Sequence, residues 1–461
     1  MRIARKKKLV RQSFLFLVAF FAFSMHASLC LATVGYAVIR DSEAENLLKM
    51  LAASVFNAAG LSGRDVRIVL LNDPDPNAFV IDNSHVFFTT GMILSLHRPE
   101  HFMAVAAHET AHIVAAHLPK REQVIRNAAG GVVLTTIAGI AAVMAGAGQG
   151  GVALAAAGLQ VAERKILAHS RSDEAAADIG AIGYLEAAGI DPVSMLEVHK
   201  IFLKQQALYI DKNFSYTTTH PLAKERIKYT AKRIEKSHTI NTRLSAELQY
   251  RYQRVYAKIR AFTVNSPRNA LLRVKIDDKA GWEEKEIIYY SKAILLHRLS
   301  RKEESHKFLE LLLKKKPDDP YYHEIKGQFY LEEGNKKAAI ESYIVAAERA
   351  PKDPLILAIL GELFVDGKGE MLETGLALLK KADMLSLDNT RVKFTLARAY
   401  ALSGDHGMAA LTAAERFFLL KDEKFAALHA KRALNLLPQG NSRWLRAQDI
   451  IVRTEEAKKE R

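Results

Sequence analysis

Apolar residues Leu47, Leu48, Leu51 and Val55 recur at helical spacing between positions 43 and 59, which predicts an amphipathic helix. The pattern then shortens. Residues 67–71 are β-branched and apolar, and runs at 78–81 and 86–89 flank Asp82-Asn83-Ser84, which predicts two strands joined as a hairpin. The loop Asn72-Asp73-Pro74-Asp75-Pro76 continues neither strand nor helix, because its prolines have no amide to donate. From 99 to 117 helical periodicity returns, apolar on almost every side.

No charged residue occurs between Asn127 and Ala162. Gly146, Gly148, Gly150 and Gly151 divide this stretch into 18 residues (128–145) and 11 residues (152–162). The second half is too short to span a bilayer. A single crossing would put the candidate metal ligands on either side of it on opposite faces of a membrane. The expectation is a buried or re-entrant helical lid over 128–162, with peripheral contact to a membrane surface.

Beyond Gly189 the chain reads as helical to about 236, with another helix near 244–262 and a linker at 265–281. A repeat follows. Pro317 and Pro351 lie 34 residues apart, each opening Pro-x-Asp-Pro, and 34 is the period of tetratricopeptide helix pairs. Between them Gly327, Tyr330, Ala339, Tyr343 and Ala346 occupy the small and aromatic positions of that motif. Later units carry Leu360, Gly361 and Phe364, then Ala397, Tyr400 and Ala409.

With 461 residues, 49% hydrophobic and 25% charged, the chain exceeds one core and is not a disordered polymer. Arg2, Arg5, Lys6, Lys7, Lys8 and Arg11 precede an apolar run at 14–23 and small residues at Ala27 and Ala32, the layout of a signal peptide for export; an uncleaved anchor is the alternative. Leu29 before Cys30 does not fit a lipoprotein signal. Cleavage after Ala32 would remove the sole cysteine, so no disulfide is expected, and would take the net charge from +15 to +9. A basic surplus suits an anionic envelope surface, and no nucleic-acid motif is present.

The decisive pattern is His108-Glu109-Thr110-Ala111-His112. Four residues apart on a helix, the two imidazoles project from one face and can share a Zn²⁺, with Glu109 within reach of a water on that metal as general base. Two nitrogen ligands leave zinc short of a catalytic set. Positions 115 and 118 are Ala and Leu, which excludes the metzincin solution. A downstream carboxylate is the other: in Glu174-Ala175-Ala176-Ala177-Asp178, Glu174 is the third ligand and Asp178, one turn on, the acceptor for an imidazole N–H. His85, His97, His101 and His117 have no ligand spacing and are expected to be structural or solvated.

These motifs, with Asn77-Ala78-Phe79, Ser170-Arg171-Ser172-Asp173-Glu174, Gly189-Ile190-Asp191-Pro192 and Thr219-His220-Pro221 before Arg226-Ile227, resemble the CAAX-prenyl-protease-like and HtpX-like gluzincins over residues 40–236. The resemblance implies one Zn²⁺ per chain, His220 close to it as an oxyanion stabiliser or a resting ligand, and Arg226 behind the ligands. It further implies failed outer-membrane β-barrel proteins as substrates and the barrel-assembly machinery as partner of the repeat. The terminal cysteines that tie down the repeat in some relatives are absent.

The expected organisation is a signal peptide (1–32), a mostly helical α+β zincin-like metalloprotease domain with a small sheet (33–237), a helical linker (238–284), an all-α tetratricopeptide superhelix (285–437) and a charged C-terminal tail (438–461). The expected function is periplasmic zinc endopeptidase, with substrate laid along residues 86–89 as an edge strand. A chaperone or assembly adaptor with a repressed zinc site is the rival; an integral membrane protease fails on the length of the uncharged halves.

Overall fold

The computed structural model describes residues 37–61, 66–82, 84–115, 171–208, 215–222, 224–237, 243–277, 279–367, 369 and 371–459. The expected signal peptide, the expected lid and His117 lie outside them. Among the described residues no helix is long and apolar enough to cross a membrane.

Strands β1 (Ala37–Ile39), β2 (Arg67–Asn72), β3 (Ala78–Asp82) and β4 (His85–Thr89) form one sheet in the order β1-β2-β4-β3. β3 and β4 make the expected antiparallel hairpin, while β2 runs parallel to β4, Arg67 opposite His85. Leu70, Val80, Val86 and Phe88 point to one face, into a core completed by the Ser42–Ala58 and Pro99–Val114 helices. Phe79 stacks on Phe87 on the other. This topology corrects one expectation: residues 86–89 lie inside the sheet, paired on both sides, and among the described residues the edge on the hairpin side is β3. Hydrophobic runs specify strands but not which neighbour each one pairs with.

The helix carrying the two candidate histidines starts at Pro99, whose fixed φ suits the first helical position, and is buried at every residue from 99 to 113. Against it packs Arg171–Ala187. A Cβ at Gly180 would stand 3.1 Å from the Ala111 methyl, so the small residues here let the two backbones approach.

The C-terminal part is an all-α tetratricopeptide superhelix, ten helices in five pairs among the described residues, from Trp282–Arg298 to Ser442–Lys459. The 34-residue period has a local cause. Asp319 and Asp353 accept from the amides of Tyr321 and Leu355 at 3.0 Å, capping helices that open on Pro320 and Pro354. The ring of Tyr343 fills the space over Gly327, where a Cβ would meet it at 2.7 Å. Within the expected helical linker lies the capped helix Pro267–Arg273, none of whose residues is buried. One stretch differs from expectation. The stretch read as a tail is the second helix of the last pair, with Ala447 and Ile450 in a core shared with Ala426, Ala430 and Ala433. Charged residues are frequent in its sequence, and only the neighbouring helix shows which stripe is covered.

One helix joins both parts. Ala246–Thr263 puts Tyr252, Val255 and Ile259 into the core beneath the sheet and Ala261 into the first core of the repeat. From its buried face Arg254 pairs with Glu43 and, at 2.6 Å, with Asp319, and Lys258 reaches Asp41 at 2.7 Å. Ser42 donates to Asp353 at 3.1 Å and Asn46 to the same carboxylate at 2.6 Å. Of the aspartates that cap the repeat helices, Asp353 thus also holds the first helix of the sheet domain directly, and Asp319 does so through Arg254 and Glu43.

Candidate metal centre

The helical period puts His108 and His112 on one face, and their Nε2 atoms lie 3.2 Å apart. The Arg171–Ala187 helix brings Glu174 to them, with carboxylate oxygens 3.4 Å from His108 Nε2 and 3.5 Å from His112 Nε2. His220 follows the short Ser215–Thr219 helix, and its Nδ1 lies 3.3 Å from His108 Nε2 and 3.0 Å from Glu174 Oε1. All four side chains are buried and offer atoms within 4.8 Å of one another. Zinc–nitrogen and zinc–oxygen bonds of about 2.0–2.1 Å in a tetrahedron set donors about 3.3–3.4 Å apart. These spacings of 3.0–3.5 Å bracket that figure, and imidazole nitrogens with a carboxylate oxygen are donors zinc accepts.

Charge supports the same fit. Burial disfavours ionising Glu174, but His220, His108, His112 and its own contacts outweigh that and hold it well below the usual carboxylate range. His108 is opposed by burial yet raised to about 10 by Asp178 and Glu174. His112 is pushed down to about 3 by burial and by the two neighbouring imidazoles. A buried anion facing one cationic and one neutral imidazole is a place where a divalent cation can displace a proton.

Behind the donors, Asp178 Oδ1 lies 3.0 Å from His108 Nδ1. Arg226 donates to both oxygens of Asp178, at 2.8 and 2.9 Å, and approaches Glu174 Oε2 at 2.8 Å. It also donates to the Pro221 carbonyl at 2.8 Å, tying the His220 loop to the same carboxylates. Glu109 is fully buried, with Oε1 3.5 Å from His220 Nε2.

Every candidate residue read from the sequence therefore meets at one place. Two further residues join them unannounced. His199, 3.5 Å from Asp178 through Nε2, shares that carboxylate with His108. Tyr216 lays its ring 4.7 Å from that of His220, and its amide donates to Pro76 beside β3. Neither belongs to a spaced motif, so only contact could reveal them. His101 pairs with Glu197 at 3.0 Å, His85 contacts Ser84 and His97 meets the edge of Tyr256, away from the donors.

Residues 41–234 match the model of Peptidase family M48. The beta-barrel assembly-enhancing protease of Yersinia pestis is 23% identical over 302 residues, which cover 65% of this chain and 60% of that protein. A putative beta-barrel assembly-enhancing protease of Vibrio cholerae is 25% identical over 255 residues, 55% of this chain and 51% of that one. The mitochondrial metalloendopeptidase OMA1 of Schizosaccharomyces pombe is 28% identical over 174 residues, 38% of this chain and 48% of its own. The chain spans between about half and three fifths of the length of these relatives.

Proposed function

We propose that the M48 peptidase domain at residues 41–234 is a zinc-dependent endopeptidase of the cell envelope, brought to its substrates by the tetratricopeptide superhelix that follows it. The observation that carries this reading is the buried set of three imidazoles and one carboxylate with the Glu109 carboxylate beside it. Zn²⁺ held by His108, His112 and Glu174 would supply Lewis acidity toward a peptide carbonyl and lower the pKa of a water. Glu109 takes the proton of the attacking water and passes it to the leaving amide nitrogen. Asp178 orients His108 through Nδ1, and Arg226 keeps both carboxylates in place.

Substrate backbone adds to β3, which pairs on one side only among the described residues. Its Ala78 carbonyl lies 3.3 Å from His220 Nε2, so that edge ends at the donors. Addition to an edge requires extended chain and favours unfolded or misassembled proteins. The relatives are named for β-barrel assembly, which supports β-barrel proteins as substrates and the machinery that assembles them as partner of the repeat, and with them a setting in the cell envelope. The test is digestion of unfolded casein: the purified chain cuts, a chelator stops it, and Glu109→Gln keeps zinc but does not cut. Digestion by Glu109→Gln would remove Glu109 as the base.

A second reading draws on His220. Its nitrogen stands at the fourth donor position, which supports a chaperone or adaptor whose peptidase is shut at rest. In a strain lacking the protein, full complementation by Glu109→Gln would favour the adaptor, and its failure the peptidase.

A further inference from the structure

Away from the metal centre, the densest exposed chemistry lies on the last two helix pairs. The Phe417 ring lies 5.2 Å from Phe425, inclined by 28°, and 5.3 Å from His429, inclined by 10°. The Arg416 guanidinium stands 5.3 Å over the Phe394 ring and 5.2 Å over Phe417. These groups form one continuous surface on which Phe394 is 54% exposed, Phe425 43% and nearby Leu428 58%, while Phe417 is half-buried against the core of the last pairs.

The cations of this surface lack anions. Glu415, next to Arg416, is engaged by Lys393 and Arg446 at 3.0 and 3.2 Å. Arg416 Nε is shielded from water without an acceptor, and among the described residues Arg416, Lys424, Lys431 and Arg432 form no ion pair. Residues 390–459 contain 13 Lys and Arg against 7 Asp and Glu, a surplus of 13 − 7 = 6. Arg416 is half-buried, held over two phenyl faces with no anion paired to it among the described residues, and the planar donors of a guanidinium match a carboxylate. Phe394, Phe425 and Leu428 belong to the first helices of their pairs, Thr390–Leu402 and Glu423–Leu436. Concave surfaces of such solenoids accommodate a narrow chain rather than a flat bilayer.

We propose that this face binds an acidic segment of a partner protein in which apolar or aromatic side chains alternate with carboxylates, one carboxylate seating on Arg416 and the apolar groups on Phe394, Phe425 and Leu428. The proposal rests on the repeat being the docking element of the peptidase, and it names the chemistry of what docks.

The experiment measures binding of a synthetic Glu-Phe-Glu-Leu repeat peptide to the full chain carrying Glu109→Gln, which prevents cutting of the probe. Affinity is expected to fall with added salt, and Arg416→Gln and, separately, Phe394→Ser each to weaken binding by about tenfold or more, the scale of one charge-assisted contact. A Lys-Phe-Lys-Leu peptide is expected not to compete. Binding unchanged by both substitutions, or equal binding of the lysine peptide, overturns the proposal. So does a face that ignores the acidic peptide but holds phosphatidylglycerol vesicles in an Arg416-dependent way, or one that instead pairs two copies of the chain and comes apart with Phe394→Ser. Casein digestion by Arg416→Gln on the unmodified background is expected to equal that of the parent chain. A parent chain that cuts nothing defeats the peptidase reading while leaving the peptide result intact, so the two failures are told apart.

Discussion

His220 Nδ1 lies 3.0 Å from Oε1 of Glu174 and supplies the fourth donor atom of the set. Its loop is held there by the bond from Arg226 to the Pro221 carbonyl. His220→Ala leaves three donors and should retain zinc. Turnover on unfolded casein should rise about tenfold, the gain when a roughly ten-to-one closed population is removed. Metal analysis beside the digestion assay checks it: parallel loss of zinc and activity would make His220 an obligatory ligand.

Zinc affinity should depend on pH through His108. With its metal-free pKa raised to about 10, this imidazole carries a proton at neutral pH that the metal must displace, while His112, at about 3, has none to give up. Affinity should therefore rise about tenfold per pH unit between about pH 6 and pH 9. Competition with a chromophoric chelator across that range measures the slope, and a flat profile would contradict the charge assignment.

Gly180 and Gly183 lie on one helix and predict opposite results. A side chain at Gly180 meets the Ala111 methyl at 3.1 Å, whereas one at Gly183 meets nothing within 4 Å. Gly180→Leu should separate the helices bearing Glu174 and His108 and weaken zinc binding by at least about tenfold, since ligand atoms tolerate only tenths of an ångström. Gly183→Ala should bind zinc normally and gain about 0.5–1 kcal/mol in urea unfolding, from helix propensity. Equal zinc affinity in both would refute the close-approach argument.

Glu43 is fully buried between Arg254 and Lys258, which outweigh the cost of burial and hold its carboxyl below the usual range. Glu43→Gln leaves two buried cations short of an anion and should cost about 3 kcal/mol at pH 7. Because the folded-state pKa is depressed, this stabilisation is present above the unfolded value of 4.5 and lost as pH falls through the folded one. Urea unfolding of both proteins at pH 7 and near pH 4 should show the gap narrowing on the acid side.

Local sequence was enough wherever chemistry follows a backbone period. Helical spacing sets His108 beside His112 and Glu174 one turn from Asp178, and a 34-residue interval with Asp-Pro caps specifies stacked helix pairs, because in each case the interacting atoms are a few residues apart. Tertiary structure decided everything that depends on pairing at a distance. It made β3 the edge in place of β4, because strand order follows from which neighbours share hydrogen bonds. It turned the charged stretch after residue 438 into a packed helix, because only the Glu423–Leu436 helix selects the stripe it covers. It brought His199 to Asp178 and Arg254 to Glu43, contacts 21 and 211 residues apart in the chain, whose charges find each other only once burial has removed the water that would otherwise separate them.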